Sequence, residues 1–246
     1  MEDSMLNEQT LDTLNALKLF GMAQSLASRL ADPRQAELSH AEFIGLLAQA
    51  EKTYRESRRL TRLLKRAKLK QQAALEDINY RHPRGLSKQV LLELADARWI
   101  ATARNVLLTG PTGVGKSYIA CALGNLAART GYTVLYLRAS RLLESLQQAR
   151  ADGSHMRLLQ RLGKVQLLII DDFLISPLSN AARMDFLDLI EDRCGSGATV
   201  ITSQCPAKEW HAAIGDPTIA DAICDRILHN SYKIDLRGES MRKTRA

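Results

Sequence analysis

The octet Gly110-Pro111-Thr112-Gly113-Val114-Gly115-Lys116-Ser117 follows the apolar run Val106-Leu107-Leu108 and leads into a stretch of helical period that begins at Tyr118. Glycines at such a strand-to-helix turn let backbone N–H groups face inward, and the helix N-terminus adds partial positive charge, so the stretch suits a polyphosphate. Lys116 would reach the β- and γ-phosphates, and the Ser117 hydroxyl would ligate Mg²⁺. Gly110 through Tyr118 are therefore the expected nucleotide-binding residues, with ATP and Mg²⁺ as cofactors. The competing reading of these residues is a turn that happens to contain glycine and lysine.

A second apolar run, Leu167-Leu168-Ile169-Ile170, ends in Asp171-Asp172. Phosphoryl transfer to water needs one acid near the metal and one to polarise the attacking water. Asp171 directly continues the strand and is assigned with Ser117 to the metal, and Asp172 is the candidate general base. A carboxylate in this place can instead cap the next helix or pair with a lysine. Many ATPases of this layout carry glutamate where Asp172 stands, one methylene longer, so slow hydrolysis is expected.

The elements that must position these groups follow from periodicity. Apolar runs at 105–109, 133–137, 166–170, 198–202 and 232–236 alternate with segments of helical period, which predicts a doubly wound α/β fold with five parallel strands. From Thr10 to about Leu75 the period is helical. Leu11, Leu14, Leu17, Leu26 and Leu30 keep one apolar side and should stop before Pro33. Ser39 to Glu42 has capping-box form and opens another helix. Pro83 and Gly85 in NYRHPRGLS interrupt this pattern and place a domain boundary between 78 and 79, giving a helical, basic N-terminal domain for DNA binding and assembly, then the nucleotide domain.

The two acidic and glycine-rich motifs, VITSQ at Val200 to Gln204, DAICDRILHNSYKIDLRGESMRK near the C-terminus and RHPRGL before the core together resemble the IstB-type transposition helper ATPases of the AAA+ superfamily, which are similar to the helicase loader DnaC. The resemblance implies that the strand ending at Thr202 lies between the other two motif strands. It puts Ser203 and Gln204 at the sensor 1 position, with Gln204 preferred, and makes Arg226 an arginine finger reaching a neighbouring subunit's site. A planar, permanently charged guanidinium suits that role; from the residues alone, the reading of Arg226 as a surface group paired with Asp225 or Asp221 comes first. Arg242 of GESMR takes the sensor 2 place, in competition with a basic tail that touches DNA. Two departures stand out: there is no room for a full helical lid before Ala246, and Leu174 stands where related sequences commonly have glycine.

Charge points to the cargo. The chain has 34 Lys and Arg against 27 Asp and Glu, a net charge of +7. Arg55, Arg58, Arg59, Arg62, Lys65 and Arg66 recur at helical spacing beside an apolar face of Leu60, Leu63, Leu64 and Ala67. Such a run is often only a solvated surface, but its single sign suits the phosphates of duplex DNA, read without a base code. Tyr54 is the one aromatic near it, too few for a single-strand stacking platform. The dispersed histidines and the cysteines at 121, 194, 205 and 224 lack metal-ligand spacing, and no segment reads as a secretory signal or membrane span, so a cytoplasmic protein is expected. Trp99 is read as core. The resulting expectation is an ATPase that self-assembles through its ATP sites on duplex DNA and serves a cognate transposase. The alternatives are a replicative helicase loader and a nucleotide-gated DNA scaffold with little hydrolysis.

Overall fold

The structure is a computed structural model that describes residues 2–31, 38–80 and 82–241. Three helices come first, α1 (Glu2–Ala16), α2 (Phe20–Leu30) and α3 (His40–Ala67). The leucine period expected to run through one helix is split in two. Lys18 adopts φ +60° and the Leu19 N–H donates to the Leu14 carbonyl at 2.8 Å, a helix-ending loop made without the glycine that usually announces it. The buried Glu51 carboxylate of α3 then accepts the N–H groups of Gly21 (2.7 Å) and Met22 (3.2 Å), so it caps the start of α2. The capping box forms as expected: Ser39 N–H donates to Glu42 at 2.9 Å and Glu42 N–H to Ser39 Oγ at 3.3 Å.

By compactness the chain divides into 1–62 and 63–246, so the division falls inside the continuous helix α3 and not at 78/79. Ala67, Ala73 and Ile78 are buried, which explains why the stretch before Pro83 belongs with the second unit.

The second unit carries α4 (Lys88–Ala95), α5 (Arg98–Ala101), β1 (Asn105–Thr109), α6 (Lys116–Arg129), β2 (Val134–Arg138), α7 (Ala139–Ala151), α8 (His155–Gly163), β3 (Leu167–Phe173), α9 (Asn180–Arg193), β4 (Ala198–Ser203), α10 (Trp210–Ile214), α11 (Pro217–Leu228) and β5 (Ser231–Asp235). All strand pairs are parallel, in the order β2-β3-β4-β1-β5. The strand ending in VITS thus lies between those carrying the two motifs, as the resemblance implied. The three inner strands are apolar on both faces because helices cover both, which is why their sequences are continuous Val/Ile/Leu runs. Trp99 is buried, and its indole N–H donates to the Leu94 carbonyl. Among the described residues no helix is long and apolar enough to cross a membrane.

Candidate nucleotide site

β1 ends at Thr109 and the chain turns through 110–115 into α6. Gly110 has φ +137°, and a Cβ there would lie 2.1 Å from the Leu236 carbonyl oxygen; Gly115, the α6 N-cap at φ +98°, would press on Arg84. Only glycine fits both places. The turn opens on a cleft of about 440 Å³, lined by Thr112, Gly113, Gly115, Lys116 and Ser117 of the octet and by Tyr118 after it. Lys116 is buried and its ammonium donates to the carbonyls of Gly110 (2.6 Å) and Pro111 (2.8 Å). Burial pushes its pKa below the usual lysine range, partly offset by Asp172 and Asp171. Pro111 and Val114 complete the turn, Val114 fully buried.

Asp171 sits in the centre of the sheet with no exposure. Ser117 Oγ donates to it at 2.8 Å, Thr202 Oγ1 at 2.6 Å, the Tyr136 hydroxyl by a short bond, and Lys70 Nζ at 3.3 Å. Burial alone would push its carboxyl up, but bonds from Thr202, Tyr136 and Ser117 and the Lys70 charge outweigh this and hold it below the ordinary carboxylate range. Burial, with the Asp171 bond second, pushes the Tyr136 phenol upward, so it stays a donor.

Asp171 and Asp172 would point to opposite faces of a regular strand. The β3–β4 register shifts between Ile170 and Phe173, and Asp172 takes φ +62° with its N–H bonded to Thr202 Oγ1 at 2.9 Å. This bulge returns the second carboxylate to the cleft, which it lines. Leu174 follows at φ +56°, in the left-handed region that favours glycine.

Of the two sensor candidates, the buried Ser203 hydroxyl is spent on the Phe173 carbonyl (2.7 Å), whereas Gln204 lines the cleft and accepts a bond from Thr112 Oγ1 at 2.9 Å. Arg226 does not line this cleft. Its guanidinium is held on α11 by Glu191 (2.7 Å) and the Ala222 carbonyl (2.9 Å), and neither Asp225 nor Asp221 is the partner. Arg242 lies outside the described residues, but the chain just before it is on the site, with Met241 N–H donating to the Gly113 carbonyl at 3.0 Å.

Sequence reasoning did not assign Lys70, Tyr136, Arg138, Thr202 or Arg84 to the site. Arg84 is buried, donates to the Val114 carbonyl at 2.9 Å and to the Asn79 carbonyl at 3.2 Å, and touches Met241 Sδ; it ties the RHPRGL segment to the glycine turn. Its presence in that quoted motif was the available signal. Lys70 lies just beyond the basic run and carries no motif, and Tyr136 has no signal until β2 is known to flank β3. Lys70, Arg84, Lys116 and Arg138 put four cations around the cleft against Asp77 and Asp172, a balance suited to a triphosphate. The hydroxyl and carboxylate of Ser117 and Asp171 are hard oxygen donors, and the Lys70 ammonium already stands where a cation is wanted, so these residues fit Mg²⁺.

On α3, Arg55, Arg58, Arg59, Arg62, Lys65 and Arg66 are all exposed. Arg55 pairs with Glu51 at 2.6 Å and the Arg58 guanidinium lies 5.8 Å from the Tyr54 ring centroid. The apolar face expected beside them is half-buried at Leu60, Leu63 and Leu64 and buried at Ala67.

A parallel sheet in this order, with a glycine turn leaving one inner strand and a carboxylate pair ending another, defines a P-loop fold of the AAA+ type. The described DnaI structure matches it at TM-score 0.58 and 22% identity, covering 67% of this chain and 91% of that one; AMPPCP-bound DnaA from Aquifex aeolicus matches at 0.57 and 18%, covering 72% and 54%. Within that class, residues 12–246 match the family described as IstB-like ATP binding protein, and the chain belongs to it. It is 47% identical to an insertion sequence ATP-binding protein of Sinorhizobium fredii over 97% of this chain and 98% of that protein. It is 46% identical to the IS1162 ATP-binding protein of Pseudomonas fluorescens over 87% and 93%.

Proposed function

We propose that the chain is a Mg²⁺-dependent ATPase of the cytoplasm that gathers on duplex DNA when ATP-bound and serves the transposase of an insertion sequence, hydrolysis resetting the assembly. The observation that carries this reading is the bond, 2.8 Å long, from Ser117, which lines the cleft with Lys116, to the buried Asp171 carboxylate behind it. When bound, Mg²⁺ neutralises charge across the phosphates. Lys116 exchanges its two loop carbonyls for phosphate oxygens, Ser117 and Asp171 hold the metal, Asp172 takes the proton of the attacking water, and Gln204 orients that water. Arg242 contacts the nucleotide, which the Met241–Gly113 bond supports.

Arg226 acts in a neighbouring protomer's site. Its place outside its own cleft and its fixing by Glu191 support this, since a finger must be held out and aimed. The N-terminal helices serve DNA binding and assembly, with the exposed cations of α3 on phosphate. If all six are engaged, the logarithm of affinity falls with log salt at a slope of about −5. A slope near zero would refute duplex binding by this face.

The relatives' names tie them to insertion sequences at 46–47% identity, which favours a transposition helper over a helicase loader; the DnaC helicase loader shares the fold at 17% identity. The test is ATP turnover and particle size with and without duplex DNA. DNA-stimulated turnover and ATP-dependent growth in size are expected. Assembly without phosphate release indicates a nucleotide-gated scaffold, and Arg226→Ala with full turnover and assembly refutes the shared site. Arg226→Ala should cost the protomer itself no more than about 1 kcal/mol, because the pair it breaks is partly exposed.

A further inference from the structure

We propose that Lys70 is a tethered counter-ion of Asp171, which neutralises the carboxylate until a divalent cation displaces it and so lets nucleotide enter before the metal; this rests on the reading of the cleft as an Mg²⁺–ATP site. Its ammonium lies 3.3 Å from Asp171 Oδ2 and reaches in from the cleft wall, with 32% of the side chain exposed against none of Asp171's. The carboxylate's other partners, Ser117, Thr202 and Tyr136, are hydroxyls that donate hydrogen bonds but bring no charge. Lys116 is committed to the carbonyls of Gly110 and Pro111. Among the described residues, Lys70 is therefore the cation in direct contact with this buried carboxylate, while Lys116 acts on it only from a distance.

The position is built by packing. Leu69 Cδ2 lies 2.8 Å from where a Cβ on Gly124 of α6 would stand, so the neighbouring backbone is seated against a helix that has a glycine at the contact. Buried Ala67 and Ala73 flank the segment. The backbone is fixed while the four-carbon stem stays free to swing. A buried carboxylate left bare would repel an incoming polyphosphate, and an ammonium on it removes that repulsion. A doubly charged ion on hard oxygens outcompetes a single ammonium, and the freed Lys70 swings back to solvent at the cleft wall.

The experiment titrates the full-length chain with a fluorescent, non-hydrolysable ATP analogue in excess Mg²⁺ and in EDTA. In EDTA, Lys70→Met should weaken binding about fivefold, while in excess Mg²⁺ its affinity stays within about twofold of the parent. The Mg²⁺ needed to half-saturate the nucleotide-loaded chain should fall in the same variant. Lys70→Arg, which keeps the charge, should retain EDTA binding. An equal loss under both conditions makes Lys70 a plain phosphate contact and overturns the proposal, as does undiminished binding of Lys70→Met in EDTA. Failure of the parent chain to bind the analogue with Mg²⁺ is a different result, which removes the ATP site itself and this proposal with it.

Discussion

Thr202 is the hinge of the carboxylate pair, and replacing it with valine isolates that role. The side chain is fully buried and valine nearly matches its shape, so packing changes little. What changes is one hydroxyl with two bonds, 2.6 Å to Asp171 Oδ1 as donor and 2.9 Å from the Asp172 N–H as acceptor. A hydrogen bond to a charged acceptor is worth about 1.5–3 kcal/mol, and an orphaned, half-buried amide adds about 1–3 kcal/mol. Thr202→Val should therefore lose about 2.5–6 kcal/mol in denaturant unfolding with an unchanged m-value. Thr202→Ser, which keeps the hydroxyl and drops a methyl, should lose about 1 kcal/mol. Because the amide bond also holds Asp172 at φ +62°, Thr202→Val should lower turnover more than nucleotide affinity. A loss below about 1 kcal/mol for valine, or equal losses for valine and serine, would refute the assignment of Thr202 as the group that sets both carboxylates.

Lys116→Met should abolish the thermal shift given by saturating ATP, which for a site at a hundredfold excess over Kd is worth about 2.7 kcal/mol. The apo protein should melt no lower, because a buried ammonium whose pKa is pushed down costs stability at neutral pH, and differential scanning fluorimetry reads both effects. At Leu174, φ +56° reverses the usual ranking of small residues: Leu174→Gly should be about 1 kcal/mol more stable than Leu174→Ala in urea unfolding, whereas an ordinary conformation would favour alanine. The depressed pKa of Asp171 gives stability that is complete above the unfolded carboxylate value near 4 and is lost as pH falls through the lower folded value. Unfolding free energy measured against pH should accordingly fall less steeply below about pH 4 in Asp171→Asn than in the parent.

The glycine turn, its lysine and serine, and the aspartate at the end of LLII are local matters. Their function depends on which residue types stand at fixed spacing between a strand and a helix, and that is written in the chain. The three inner strands were legible for the same reason, since a sheet covered on both faces demands uninterrupted apolar runs, and the edge strands β2 and β5 followed from their alternation with helical segments. Other features depend on what lies across the sheet or beyond a turn. The break at Lys18 uses a left-handed lysine with no glycine to mark it, so periodicity ran through it. Strand order placed Tyr136 and Thr202 on either side of Asp171, although they are 35 residues before and 31 after it in sequence. A bulge, which inserts a residue without changing composition, brought Asp172 to the cleft beside the Ser117 that Asp171 holds. Lys70 is one more charge just past a basic helix, and Arg84 part of a loop, until folding brings both to the cleft at the glycine turn. Spacing along the chain fixes which groups can bind phosphate and metal; contact between distant segments fixes what charge and hydrogen bonding those groups feel.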